Sequence, residues 1–167
     1  MSKRRMIKID AKPRLFNFRV AGLAFRNGHV LVHRATHELF WTFPGGRAEI
    51  GESSAETLVR EMEEELGVTA EIEQLLWTVE NFFHFEKREY HELGFYYRMS
   101  LPDAVPFAEE GIVHRIVDGK NDIEFKWVRA LPEVLRALPL QPDFIPDRIA
   151  ELPRQSEHLV WRETVPE

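Results

Sequence analysis

One segment with glycines near both ends constrains the fold of this chain more than any other. It reads GGRAEIGESSAETLVREMEEELGV and covers residues 45–68. A serine at position 53 or 54 can cap a helix, and Gly67 stands where a helix C terminus favours glycine. The segment therefore predicts a loop followed by a helix over residues 53–66. Apolar residues at helical spacing give that helix one stripe to pack on a sheet or another helix: Ala55, Leu58, Val59, Met62 and Leu66.

The same helix carries an unusual density of acidic residues, namely Glu61, Glu63, Glu64 and Glu65. Like charges at helical spacing repel by roughly 0.2–0.5 kcal/mol per pair, so something should offset the repulsion. On a helical wheel Glu61, Glu64 and Glu65 share an arc about 100° wide, whereas Glu63 lies apart from them. Three carboxylates on one face form a set of hard oxygen donors that suits Mg²⁺ or Mn²⁺. The alternative is a solvated acidic face.

The glycine pair before the helix can bring the backbone close to a ligand, because glycine has no Cβ. The backbone carbonyl of Gly46 is therefore a candidate ligand beside the glutamates. Zinc is disfavoured, since the chain has no cysteine and no histidine pair at zinc-ligand spacing accompanies these residues.

The rest of the chain indicates a mixed sheet with at least two helices. Asn27-Gly28 between two apolar runs predicts a hairpin, and two long strands are expected to pair around residues 87–89. The other expected elements are a strand over 16–25, an extended segment over 39–43 that ends in a Pro-Gly-Gly loop, a strand over 124–128 after a polar loop, helices over 131–138 and 143–152, and a tail over 156–167 that is a last strand or disordered.

Composition limits the class of protein. The 167 residues suit a single domain over 1–167, with 1–12 and 155–167 peripheral or flexible. A net charge of −6 argues against binding of nucleic-acid polymers, and no apolar run approaches the ~20 residues needed to span a bilayer. The basic N terminus lacks the apolar core of a signal peptide. We expect a cytoplasmic protein with no membrane partner. A homodimer is compatible with the sequence, which does not specify oligomeric state.

The spacing of the fixed residues resembles the signature of the Nudix hydrolases, Gly-x5-Glu-x7-Arg-Glu-U-x-Glu-Glu-x-Gly-U, with U aliphatic. Seven fixed residues at ordinary usage would match by chance about once in 10⁸ windows. The preceding WTFPGG is also similar to the usual entry into that motif. The fixed positions are filled by Gly46, Glu52, Arg60, Glu61, Glu64, Glu65 and Gly67, and the aliphatic ones by Met62 and Val68.

The resemblance implies an α/β fold, an α/β/α sandwich with a mixed sheet between helices. It implies hydrolysis of the diphosphate bond in a nucleoside diphosphate linked to another moiety, by water attack at phosphorus with Mg²⁺, or Mn²⁺ in its place. Glu64 and Glu65 are then expected as direct metal ligands, and Glu61 as a ligand or base. The candidate catalytic residues are Glu61, Glu64 and Arg60; the candidate structural residues are Glu52, Arg60, Gly45 and Gly67. Which glutamate is the base stays open.

Candidate metal-binding and substrate-binding residues outside the motif rest on residue type alone, without a signature. A distal acidic ligand would come from Asp122 or Glu124, and candidate substrate-binding residues are Arg34, Phe43, Arg47, Phe83 and His84. Polar residues of the long hairpin are expected at alternating exposed positions: His84, Glu86, His91 and Glu92.

The substrate is not specified by the sequence. His84 stands near the position of a proline common in members that act on ADP-ribose, and Phe85 and Glu86 occupy the region of a tyrosine common in members that act on dinucleoside polyphosphates. Neither subclass is favoured, and a nucleoside di- or triphosphate or a nucleotide sugar remains open. The alternative function is a catalytically silent nucleotide-sensing module. Loss of motif residues would favour that alternative, and none is lost.

Overall fold

The computed structural model describes residues 4–118 and 121–163. These residues form nine strands and two helices, and their order explains how the acidic helix is positioned. The elements are β1 (Lys8–Ala11), β2 (Arg14–Arg26), β3 (His29–Ala35), β4 (Gly45–Arg47), α1 (Ser54–Leu66), β5 (Glu71–Phe85), β6 (Arg88–Ser100), β7 (Ile112–Asp118), β8 (Asn121–Arg129), α2 (Pro132–Ala137) and β9 (Glu157–Arg162).

The strands form a mixed sheet in the order β7-β8-β3-β2-β6-β5-β9, with β1 and β4 also paired to β2. Two pairings are parallel, β2 with β6 and β5 with β9, and the others are antiparallel. Because β2 bonds to β1, β3, β4 and β6, it organises the sheet and places β4 beside α1.

Helices cover both faces of the sheet, which confirms the predicted α/β class. On one face Leu58 and Met62 of α1 pack with Leu31 and Phe125. On the other face Leu135 of α2 packs with a second buried cluster that includes Val30, Val32, Trp77, Phe144 and Ile145. Neighbouring residues of β3 therefore alternate between two cores, as a strand buried on both faces must.

The predicted hairpins are present. Asn27 and Gly28 have φ values of 50° and 74°, the left-handed conformation that a tight hairpin turn requires. In the long hairpin Glu86 and Lys87 have φ values of 47° and 63°, so the turn begins one residue before the predicted residues 87–89 and includes Lys87.

Four expectations for the elements were wrong or incomplete. Residues 143–152 form turns rather than a helix, because the Ile145 and Arg148 amides bond to carbonyls three residues earlier and Pro146 has no N–H to donate. The predicted glycine loop is strand β4, since Gly45 and Gly46 pair with β2. Strand β7 was not predicted, and β8 begins at residue 121 rather than 124.

Both ends of the described chain contribute to the sheet. Strand β1 pairs with β2, and β9 pairs with β5, so residues 157–162 take the strand alternative. Residues 164–167 of the predicted tail lie outside the described residues. Within 4–118 and 121–163, neither helix has the length and apolar run that crossing a bilayer would need.

Candidate active site

Local signals set both ends of α1. The Ser53 side chain accepts a hydrogen bond from the Glu56 amide at 3.2 Å, and the Glu56 carboxylate accepts one from the Ser53 amide at 2.7 Å. At the other end Gly67 has φ 65° and donates its N–H to the Glu63 carbonyl at 3.0 Å. These caps confirm the predicted helix, with Ser53 rather than Ser54 as the cap. Leu58 and Met62 are buried; Ala55, Val59 and Leu66 are half-buried.

Arg60 ties the helix to the preceding loop. Its Nε and Nη2 donate to the two oxygens of Glu52 at 2.7 and 3.0 Å, so the expected ion pair is present. Nη2 also donates to the carbonyl of Arg47 at 3.2 Å, and Nη1 donates to Glu61 at 2.9 Å and Glu64 at 3.3 Å. All five guanidinium N–H donors are therefore used inside the motif.

Glu52 is the acceptor at the centre of this arrangement. It also accepts hydrogen bonds from the Glu49 amide at 3.0 Å and from the Thr57 hydroxyl at 3.1 Å. Its bonds with the Arg60 guanidinium hold the pKa of Glu52 below its usual value, against the opposing effect of burial. Glu52 is thus a fixed anion that joins loop and helix.

Glu61 packs directly on the backbone of β4. A Cβ placed on Gly46 would overlap with the Glu61 carboxylate, so only glycine leaves room for it there. Burial, with a further contribution from the charge of Glu65, raises the pKa of Glu61 to about 7, although Arg60 opposes the shift. A carboxylate pressed against a main chain in this way is suited to share a cation with that main chain.

Glu65 points toward β3 and is 6% exposed. Its Oε2 lies 3.3 Å from Nδ1 of His33, yet neither buried atom makes a hydrogen bond with a described residue. The Glu65 carbonyl contacts Nε2 of His114 at 3.0 Å. Glu65 therefore presents a buried oxygen without a hydrogen-bond partner among the described residues, which was not evident from the sequence.

Glu64 differs from both, because its side chain is 44% exposed and is held by Arg60 and Arg4. As arranged, no three acidic, histidine or cysteine side chains in residues 4–118 and 121–163 are grouped closely enough to hold a metal. The residues nevertheless fit a hard cation. The donors are all oxygens, the Glu61 carboxylate packs on the main chain at Gly46, and a buried oxygen of Glu65 has no hydrogen-bond partner among the described residues.

Neither candidate for the distal ligand joins these glutamates. Asp122 is exposed. Glu124 is buried and accepts a hydrogen bond from Nε of Arg34 at 2.9 Å. It precedes Phe125, which packs in the α1 core, so Glu124 faces the opposite side of the sheet.

The five substrate-binding candidates do not form one cluster. Arg34 lies 4.3 Å above the Trp41 ring, and Phe83 stacks on Tyr90 at a centroid distance of 4.8 Å. The other three are Phe43, which is buried in the core, Arg47, which is half-buried in β4, and His84, which is exposed on β5.

The structure buries one hairpin residue that was expected at the surface. Glu92 is 6% exposed and accepts a hydrogen bond from Nδ2 of Asn17 at 3.1 Å, whereas His84, Glu86 and His91 are exposed as expected. Burial raises the pKa of Glu92, and the charge of Arg19 opposes the shift. Side chains two or four residues apart on a strand lie on the same face, so Glu92 shares a face with the buried Tyr96. This spacing is the sequence signal that could have revealed the burial of Glu92.

The chain resembles known proteins in sequence. It is 35% identical over 85 residues to the Bacillus subtilis (strain 168) protein "Putative ADP-ribose pyrophosphatase YjhB". That match spans 50% of this chain and 41% of the relative, so it reaches less than half of the relative's length.

Solved structures share the fold. A UDP-X diphosphatase superposes with a TM-score of 0.58 at 19% identity, over 90% of this chain and 68% of that one. A NUDIX hydrolase from Nitrosomonas europaea gives a TM-score of 0.57 at 16% identity, and the match covers 88% of this chain and 79% of that one. An ADP-ribose pyrophosphatase from Streptococcus suis 89-1591 gives a TM-score of 0.54 at 13% identity, and the match covers 86% of this chain and 98% of that one.

A sequence model of the NUDIX domain matches residues 16–141, a span that runs from β2 past α2 and includes the whole acidic motif. With the motif complete and its caps, ion pair and glycine contact in place, this chain belongs to the NUDIX domain family.

Proposed function

We propose that the protein is a divalent-metal-dependent hydrolase that cleaves the diphosphate bond of a nucleoside diphosphate linked to another moiety. The observation that carries the proposal is the contact between the Glu61 carboxylate and the Gly46 backbone, clamped by Arg60 and Glu52. Relatives named for ADP-ribose and for UDP derivatives support this class of substrate.

The residues that would hold the metal are Glu61, Glu64, Glu65 and the carbonyl of Gly46. Mg²⁺ and Mn²⁺ fit this set, because both prefer oxygen donors. When bound, the ion would neutralise the diphosphate and lower the pKa of the attacking water.

The chain itself supplies orientation and a proton acceptor. Arg60 fixes Glu61 through Oε1, so Oε2 is the oxygen left to take a proton from water. The Glu52–Arg60 pair keeps the loop carbonyl and the helix in one geometry, and a displacement of about 1 Å at such a site can cost about 10²-fold in rate. Glu52 and Arg60 are positioning residues in this scheme.

The test is a hydrolysis panel with Mg²⁺, Mn²⁺ and chelator, read by phosphorus NMR in ¹⁸O-labelled water. Its members are nucleoside di- and triphosphates, oxidised nucleotides, ADP-ribose, nucleotide sugars, dinucleotides and NADH. We expect metal-dependent cleavage with the label in one product phosphate, and the best substrate then defines the specificity.

Variants connect the activity to the site. Glu61→Gln and Glu64→Gln should lower kcat/KM by about 10²- to 10⁴-fold, the range for a lost acid–base or charge-stabilising group. Glu63→Gln is the matched control, because Glu63 lies on the same helix, is exposed and lies outside the motif's fixed positions. Equal losses in all three variants would contradict the assignment of the site. A nucleotide that binds and survives long incubation with metal would instead support the sensing module.

A further inference from the structure

The N-terminal segment forms an arm, here residues 4–7, that lies against the loop before α1. The Ile50 amide donates to the Arg5 carbonyl at 2.9 Å, and the Ile7 amide donates to the Ala48 carbonyl at 2.8 Å. Met6 and Glu49 form an antiparallel bridge between these two bonds. The arm is therefore attached by main-chain pairing, and it carries Arg4 to the acidic face of α1.

The Arg4 guanidinium joins loop and helix. Nε donates to Glu49 at 3.0 Å, and Nη2 donates to Oε1 of Glu64, the most exposed glutamate of the predicted metal set. The Arg4 side chain is 58% exposed, so a ligand in solution can reach its guanidinium.

Two arginines bond to Glu64, and of these Arg4 alone keeps N–H groups that no described residue accepts. Arg60 uses all five N–H groups on Glu52, Glu61, Glu64 and a backbone carbonyl. Arg4 uses two of its five N–H groups on Glu49 and Glu64, and the other three make no hydrogen bond with a described residue.

An anionic substrate needs such a cation here. Glu49, Glu52, Glu61, Glu64 and Glu65 crowd this end of the molecule, and the whole chain carries a net charge of −6. A guanidinium binds phosphate oxygens through two parallel N–H bonds, which gives both charge and orientation.

We propose, on the basis of the proposed function, that Arg4 is a substrate-binding residue that contacts the diphosphate at the acidic face of α1. Before metal and substrate arrive, it holds Glu64. With a metal bound, Glu64 would serve as a ligand, and the Arg4 guanidinium would be released to contact an oxygen of the diphosphate.

The experiment compares Arg4→Ala and Arg4→Lys with Arg5→Ala. Arg5 is the matched control, because it is the neighbouring exposed arginine of the same arm. With the best substrate of the panel, Arg4→Ala should raise KM about 5- to 50-fold and change kcat less than about threefold, the size of one lost charge-assisted contact. Arg4→Lys should recover part of the loss, and Arg5→Ala should behave like the parent protein.

Two binding measurements do not depend on turnover. Methylenediphosphonate, a non-hydrolysable diphosphate, should bind the Mg²⁺-loaded Arg4→Ala variant more weakly by a similar factor in calorimetry. Mn²⁺ alone, followed by electron paramagnetic resonance, should bind that variant at least as tightly as the parent, because a competing cation has been removed. An unchanged diphosphonate affinity and KM would overturn the proposal and leave Arg4 as a counterion of Glu64. If the parent protein hydrolyses nothing, the proposed function fails, and the diphosphonate measurement still decides the role of Arg4.

Discussion

At the scale of single residues, the two adjacent glycines of β4 are required for different reasons. A Cβ on Gly45 would overlap with the main chain of Val20, which cannot move without disturbing β2. A Cβ on Gly46 would overlap with the end of the Glu61 side chain, which can rotate away. The first glycine protects the sheet, and the second protects the placement of one carboxylate.

This difference gives a prediction for Gly46→Ala. The variant should fold, with a melting temperature near that of the parent, and should lose about 10²-fold in kcat/KM because Glu61 is displaced. Thermal melts and steady-state kinetics measure the two effects. Combining Glu61→Ala with Gly46→Ala should cost much less than the product of the two single losses, because both changes act on the same carboxylate. Full additivity of the two losses would show that Gly46 acts independently of Glu61.

A second residue-scale prediction concerns Glu92, whose pKa burial raises above the ordinary value of 4.5. The stability associated with a raised carboxyl pKa is fully present below the unfolded value and is lost as pH rises through the folded value. Glu92→Gln stays neutral, so its melting temperature relative to the parent should rise as pH increases from about 4.5. Thermal melts from pH 4 to 8 measure this.

Glu86→Gln is the control for that series, since Glu86 is exposed in the turn of the same hairpin. Its difference from the parent should stay flat across the same range. A flat difference for Glu92→Gln as well would mean that Glu92 titrates like an exposed glutamate.

At the scale of elements, the ends of α1 were predictable because the signals that set them are local. Ser53, Glu56 and Gly67 act on backbone groups of their own helix, so one segment contains the whole interaction. The Asn27-Gly28 turn was predictable for the same reason. Residues 143–152 were not, because burial of Phe144 and Ile145 against the sheet depends on strands far away in the chain.

The cap gives a prediction at this scale. Ser53→Ala removes the acceptor for the Glu56 amide and should destabilise the protein by about 1 kcal/mol. In a domain of this size, that lowers the melting temperature by about 2–4 °C. Ser53→Asp keeps a side-chain acceptor and should melt near the parent. If both variants lost the same stability, the capping interaction would not be the cause.

At the scale of the whole molecule, sheet order was the least predictable feature. Parallel pairing joins Val20 to Phe95 and Val79 to Leu159, residues with no local signal for each other. The sequence predicts that strands exist and which class of fold they build, but the choice of neighbours depends on contacts across the chain.

The same limit applies to the candidate site. The motif was complete in the sequence, whereas the inward turn of Glu65 and the approach of Arg4 depend on β3 and on the N-terminal arm.

The position of β2 has a consequence for local fluctuations. Its neighbours are β1, β3, β4 and β6, so opening it would disrupt pairings on both of its edges together with both hydrophobic cores. Strands β7 and β9 end the sheet and can detach with far less disruption. Amide hydrogens of β2 should therefore exchange with solvent only when the entire protein unfolds, while those of β7 and β9 exchange through partial openings. Strand β4, which carries the glycine contact to Glu61, is bonded to this slowest-exchanging strand, so the candidate site is anchored to the part of the fold that opens last.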